Sequence, residues 1–168
     1  MKNILLVFLF IPLFIYGQER ILNPQDLETS LKIHNLERAQ LGLSKLEWSK
    51  DLQRYAERYA KYLAKKDVFK HSSDNNQGEN LYYEYNSESI TTKPFSQATT
   101  AWLEEKEDYQ YAKIGSRKNA NKMIGHYTQM IWNKTIKVGL GAYVNKKGKV
   151  YVVARYYPAG NMIGSFPH

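Results

Sequence analysis

Four side chains on four separated segments carry the groups from which a metal-assisted or acid–base site could be assembled: His71, Glu79, Glu105 and His126. Two imidazoles can bind a zinc-like ion and leave positions open for water, while a nearby carboxylate orients that water or removes its proton. His126 stands in Gly125-His126-Tyr127-Thr128-Gln129-Met130-Ile131-Trp132, where the glycine permits a sharp chain entry and the residues after it suit a short helix. Helical spacing there puts His126 and Met130 on one face and Tyr127 and Ile131 on the next. Taken alone, a histidine among apolar residues is more often a satisfied core residue than a ligand. His71 and Glu79 flank the polar loop Asp74-Asn75-Asn76-Gln77-Gly78. A loop that folds back can turn both side chains toward one cavity. Spacing alone makes the clustering of the four plausible and leaves it unproven.

The elements that must position these groups are legible from periodicity. Asn23-Pro24-Gln25-Asp26 opens a first helix, with Asn23 as cap and Pro24 in the first helical position. Leu27, Leu31, His34 and Arg38 follow at helical spacing, and Gly42 stops the segment. His34 and Asn35 are expected to satisfy buried backbone groups. Ser49 caps a second helix whose Leu52, Tyr55, Ala56, Tyr59, Ala60 and Leu63 form an apolar stripe. Its tyrosines are expected in the core, with hydroxyls at the edge. Glu79-Asn80-Leu81-Tyr82-Tyr83 reads as a short strand. A third helix is expected over roughly 97–109, with Ala98, Ala101, Trp102, Glu105 and Tyr109 on one face. Glu105 thus falls on a buried stripe, where a carboxylate must be paired, protonated or bound to a cation. A structural salt bridge or backbone cap meets that requirement as well as a site does. Beyond Trp132 the period changes to two, and Asn145-Lys146-Lys147-Gly148 joins two alternating runs into a β-hairpin. Gly139 and Gly141, inside the first of these strands, suggest a bulge or a close backbone approach. The residues after Asn161 are expected to form a loosely held terminus.

Residues 1–17 read as a secretory signal peptide: Lys2, then an almost unbroken apolar run over 4–16, then Gly17. The run falls short of the ~20 residues of a membrane-spanning helix, and no second apolar stretch follows. Residues 18–168 are then one exported domain, secreted or periplasmic, with no transmembrane anchor after cleavage, of a size that buries a real core. The chain contains no cysteine. That excludes thiol catalysis, cysteine-ligated metals and disulfide staples, so packing and any bound ion must hold the domain together. The formal charge is +8, with basic residues spread over the chain and interrupted by the acidic stretch 104–108. Such a surface suits an anionic lipid, glycan or cell-wall polymer better than nucleic acid, for which no stacking-plus-basic motif is present. H-E-x-x-H, G-x-S-x-G and P-loop signatures are absent.

The segment 125–132 resembles the first signature of the CAP superfamily, the cysteine-rich secretory, antigen 5 and plant pathogenesis-related class 1 proteins, also called the SCP domain. Val152-Val153-Ala154-Arg155-Tyr156-Tyr157-Pro158-Ala159-Gly160-Asn161-Met162 resembles the second. His34-Asn35 with Arg38, Trp48, His71-Ser72, Gly78-Glu79-Asn80 and Trp102 with Glu105 follow in matching order. Without cysteine, and with Ala154 where many relatives have one, the chain is most similar to Golgi-associated plant pathogenesis-related proteins and bacterial SCP domains. The resemblance implies an α-β-α sandwich, a small antiparallel sheet covered by helices on both faces. It also implies a cavity lined by His71, Glu79, Glu105 and His126, in which the two histidines can hold zinc or another divalent metal. The expected function is therefore an exported domain that binds a divalent ion and a lipid, glycan or protein ligand. The alternative is a zinc-dependent hydrolase or peptidase on the same four residues, with Glu79 or Glu105 as catalytic base. A tetrad held purely by hydrogen bonds is the third reading.

Overall fold

The computed structural model describes residues 19–21, 23–73, 76–85 and 92–168. The expected signal peptide lies outside the described residues. In chain order the elements are β1 (Glu19–Ile21), α1 (Pro24–Gln40), β2 (Glu47–Trp48), α2 (Lys50–Lys66), β3 (Gly78–Tyr85), α3 (Pro94–Glu104), α4 (Gly125–Met130), β4 (Lys137–Val144) and β5 (Lys149–Tyr157). Strands β1-β4-β5-β3 form an antiparallel sheet in that order, and the two-residue β2 adds a parallel pairing to the start of β4.

Strand alternation divides the core into two layers. Val138, Leu140, Ala142 and Val144 of β4, with Val150, Val152, Ala154 and Tyr156 of β5, pack against Leu27 of α1, Phe95, Ala98 and Trp102 of α3, and Met130 of α4. The intervening residues Tyr151 and Val153, with Tyr143 and Leu81, meet Ala56, Ala60, Leu63 and Ala64 of α2. This is the α-β-α sandwich, with α2 alone on one face and α1, α3 and α4 on the other. The small residues of α2 and β4 set how close the layers come. A Cβ at Gly139 would lie 2.3 Å from the Gln53 nitrogen, and one at Gly141 would lie 2.2 Å from the Glu57 nitrogen. The two glycines therefore serve a close helix-on-strand approach, with no bulge in the β4–β5 register.

Three sequence expectations change. The third helix ends at Glu104 and tightens into a 3₁₀ turn over Glu105–Glu107, five residues short of Tyr109. The tail is tied down: Ser165 O accepts from Ile114 N at 2.9 Å, Pro167 O accepts from Asn133 N at 2.7 Å, and Phe166 stacks on Tyr111. Of the tyrosine stripe on α2, Tyr55 is 45 % exposed and Tyr59 only half-buried, because the loop after α2 leaves a cleft open beside them.

Two buried polar residues of α1 lock the helical layer. Arg38 is fully buried and donates to the carbonyls of Ser44, Met130, Trp132 and Thr135, so its charge is spread over the segment after α1 and the backbone that leaves α4. His34, also fully buried, donates from Nδ1 to Ser30 O at 2.8 Å and accepts from the Tyr156 hydroxyl at Nε2 at 2.9 Å. Both ring nitrogens are satisfied only in the neutral form, and burial lowers its pKa from 6.5 to about 4. Between those values the unfolded chain takes up a proton that the folded one refuses, so stability falls as pH drops through that window. This residue should cost about 3 kcal/mol between neutral pH and about pH 4. Urea unfolding of the wild type and of His34→Gln at both ends of the window should show a flatter pH profile for the variant, which is less stable at neutral pH. Parallel profiles would remove His34 as the cause.

Candidate functional site

Strand β3 is the edge strand that carries Glu79 and Asn80, and its alternation sends these neighbours to opposite faces. Glu79 is paired across the sheet with Arg155, on the face covered by α2. Asn80 is paired with Ala154, and its side chain reaches the other layer, donating to the Tyr156 hydroxyl at 3.2 Å and to the His126 carbonyl at 3.0 Å. A chain of hydrogen bonds thus runs from α1 through His34, Tyr156 and Asn80 to the first turn of α4.

The structure places the four predicted residues as two histidine–carboxylate pairs. His71 Nδ1 lies 2.6 Å from Glu79 Oε1, which also accepts from the Ser72 backbone N–H at 3.0 Å. His126 Nδ1 lies 2.6 Å from Glu105 Oε1, while Glu105 Oε2 accepts from the backbone N–H groups of His126 at 2.9 Å and Tyr127 at 3.1 Å. A carboxylate only accepts, so each imidazole must carry its proton on Nδ1 and, when neutral, present a lone pair on Nε2. That is the arrangement by which outer carboxylates orient metal-binding histidines. Both carboxylates are nearly buried, with side chains 7 % and 10 % exposed, whereas the rings are 63 % exposed for His71 and 24 % for His126.

Local structure explains each pair. α4 has Ile124 at its N-cap and no side-chain cap of its own, so Glu105, at the C-terminal end of α3, supplies the acceptor that its first amides require. The chain turns out of the α-helix at Glu105, which aims the side chain across to α4 instead of along the α3 stripe. Trp102, whose Nε1 donates to Leu81 O at 3.2 Å, lies stacked beside the His126 ring at 6.1 Å between centroids. Gln129 ties α4 to the segment after β5 by accepting from Gly160 N at 2.9 Å, and Asn161 accepts from the Thr128 hydroxyl at 2.8 Å. Glu79 is held from the other side by Arg155, whose Nη2 is 2.8 Å from Oε2 but off the line of a hydrogen bond. Burial raises the Glu79 carboxyl, yet the His71 hydrogen bond, the Arg155 charge and the Ser72 amide together leave it below the ordinary carboxylate range.

Arg155, Asn80, Gln129 and Tyr156 are the site residues that sequence reasoning passed over. The pairing of Glu79 with Arg155 follows from strand register, which periodicity alone does not give. Among the described residues no group of three or more His, Cys, Asp or Glu side chains is arranged to hold a metal ion. On donor chemistry alone, the atoms left to a divalent ion are Nε2 of His71 and Nε2 of His126, with Glu79 and Glu105 as the partners that orient each ring.

Comparison with known proteins agrees with this architecture. Residues 31–156 match the model of the CAP family, described as the cysteine-rich secretory protein family. The chain is 35 % identical to human Golgi-associated plant pathogenesis-related protein 1, over 79 % of this chain and 82 % of that protein. It is 33 % identical to the pathogenesis-related protein PRMS of Zea mays, over 87 % and 83 % of the two chains. Among solved structures, NaASP2, crystallised with Zn²⁺, superposes with a TM-score of 0.74 at 27 % identity, covering 88 % of this chain and 87 % of that one. BmVAL-1 gives 0.71 at 27 % identity, covering 88 % and 83 %.

The tautomers can be read directly. In ¹⁵N imidazole spectra at mildly alkaline pH, His71 and His126 should both show a protonated Nδ1 and a bare Nε2. Glu105→Ala should randomise His126 alone and, through the lost cap, lower stability by about 1 kcal/mol. A protonated Nε2 on either ring in the wild type would contradict the assignment.

Proposed function

Because the chain belongs to the CAP, or cysteine-rich secretory protein, family, we propose that it is an exported binding protein that holds a zinc-type divalent ion on His71 and His126 and engages a lipid, glycan or protein ligand. The observation that carries this reading is that each of the two rings turns Nδ1 to a nearly buried carboxylate and leaves Nε2 for a ligand. A bound ion there supplies positive charge and Lewis acidity to whatever group completes its coordination. Support for export comes from the leader-like residues 1–17 and from the family. The structural relative NaASP2 was crystallised with Zn²⁺, which favours zinc among divalent ions.

The same geometry weighs against the hydrolase reading. A general base needs a free oxygen within reach of a water, and both oxygens of Glu105 are already hydrogen-bonded. Glu79 faces His71, the Ser72 amide and Arg155, and Glu105 caps α4 while holding His126. Binding therefore uses the two imidazoles and leaves Glu105 in its capping role, whereas turnover would fall to Glu79, whose Oε2 accepts no hydrogen bond.

Isothermal titration of the mature protein with Zn²⁺ should give a single site. Replacing both His71 and His126 by Ala should abolish it, and Glu79→Gln or Glu105→Gln should weaken it by roughly 10- to 100-fold. Binding by the double variant equal to that of the wild type would sink the proposal. Hydrolysis of a peptide and ester panel that disappears in both Gln variants, with the fold intact, would move the protein to the enzyme class.

A further inference from the structure

Beside the His71–Glu79 pair, on the face of the sheet covered by α2, lies an open cleft of about 540 Å³. Its lining includes Arg155, Arg58, Lys70 and His71, together with Tyr59 and Tyr62. Arg155 is 4 % exposed, yet it uses its guanidinium sparingly: Nη2 meets Glu79, while the buried Nε and Nη1 have no hydrogen-bond partner. Buried donors left unpaired are costly, and a guanidinium is built to present a two-pronged edge to a carboxylate or phosphate. An arginine present only to balance Glu79 would gain most by offering that edge to it, and this one does not.

The surroundings select the ligand further. Arg58 lies over the Tyr55 ring at 4.5 Å, so a second guanidinium sits at the rim, joined by the exposed Lys70. Tyr59 and Tyr62 stack at 5.7 Å and 13°, and Arg155 lies over the Tyr59 ring at 5.2 Å, which sets parallel aromatic faces beside the cations. The Tyr59 hydroxyl is fixed by donation to the Lys70 carbonyl at 2.8 Å, so the ring and the rim are held together. Glu79 is the acidic side chain that faces this guanidinium, and it is shared with His71.

We propose that this cleft is a binding site for an oxyanion, carboxylate or phosphate, carried on a flat ring: the anion faces Arg155, Arg58 and Lys70, and the ring lies against Tyr59 and Tyr62. The site shares a border with His71 but needs no metal ion, because its positive charge comes from the arginines and lysine.

The probes are phenyl phosphate, benzoate, inorganic phosphate and phenol, titrated into the mature protein in EDTA and followed by calorimetry and by the Nε–H resonance of Arg155. Phenyl phosphate or benzoate should bind at least tenfold more tightly than either inorganic phosphate or phenol and should shift that resonance; which of the two is tighter identifies the anion. The double variant Arg58→Gln with Lys70→Gln alters exposed side chains and should keep the fold and the zinc affinity while losing about tenfold in phenyl phosphate or benzoate affinity. Arg155→Lys should abolish binding if it folds. Phenol binding as well as phenyl phosphate, an unmoved Arg155 resonance, an unaffected double variant, or binding that appears only when zinc is added would each overturn the proposal. The last outcome would assign the anion to the paired histidines instead.

Discussion

The first amides of α4 need an acceptor that their own helix does not supply, and the carboxylate of Glu105 meets them from the end of α3. One of its oxygens takes the backbone N–H groups of His126 and Tyr127, and the other takes Nδ1 of the His126 ring. A single side chain thereby fixes where α4 begins, how α3 and α4 meet, and which ring nitrogen His126 turns outward. Because the helix has only six residues, it has little capacity to hold this position by itself. Its carbonyl end is tied by Arg38 and, one residue earlier, by Gln129, while Glu105 holds the amide end, so the histidine rests on a backbone fixed at both ends.

The second pair is built by a different route. Glu79 belongs to a strand, and alternation sends it to the α2 face while Asn80 reaches the helical layer. His71 approaches from the loop after α2 and remains largely exposed, so it is the less constrained of the two rings. The two pairs thus combine one rigid ring, on α4, with one adjustable ring, beside the edge strand. Such a combination suits capture of an ion or ligand from solvent better than it suits chemistry that demands fixed distances on both sides. The arginine that supports Glu79 is also the floor of the aromatic cleft, so α2, the sheet and the His71 loop share one electrostatic centre.

The amino-acid pattern made much of this readable. Helical spacing located α1 and α2, each of which buries one face against the sheet, and a period of two located the β4–β5 hairpin, whose alternate residues fill both layers. Gly139 and Gly141 announced a close approach, and the α2 backbone supplies it. The third helix was harder: Ala98, Trp102 and Glu105 share a helical phase, but the helix ends before Glu105, and capping a neighbouring helix is a tertiary event that leaves no periodic trace. Tyr55 and Tyr59 fit an apolar stripe equally well whether they line a core or a cleft, since period does not report what lies opposite. The partnership of Arg155 with Glu79 depends on the register of β3 against β5, and the tail after Asn161 looks unstructured in sequence because single backbone hydrogen bonds and one aromatic stack hold it.

Two imidazoles that offer Nε2 while their carboxylates stay behind them would hold the proposed ion. X-ray absorption of the zinc-loaded protein tests this most directly. It should show two imidazole nitrogens at roughly 2.0 to 2.1 Å with the remaining positions filled by light oxygen donors from solvent, and the spectrum should lose both imidazoles when His71 and His126 are replaced by Ala. A first shell without imidazole, or one left unchanged in that variant, would contradict it.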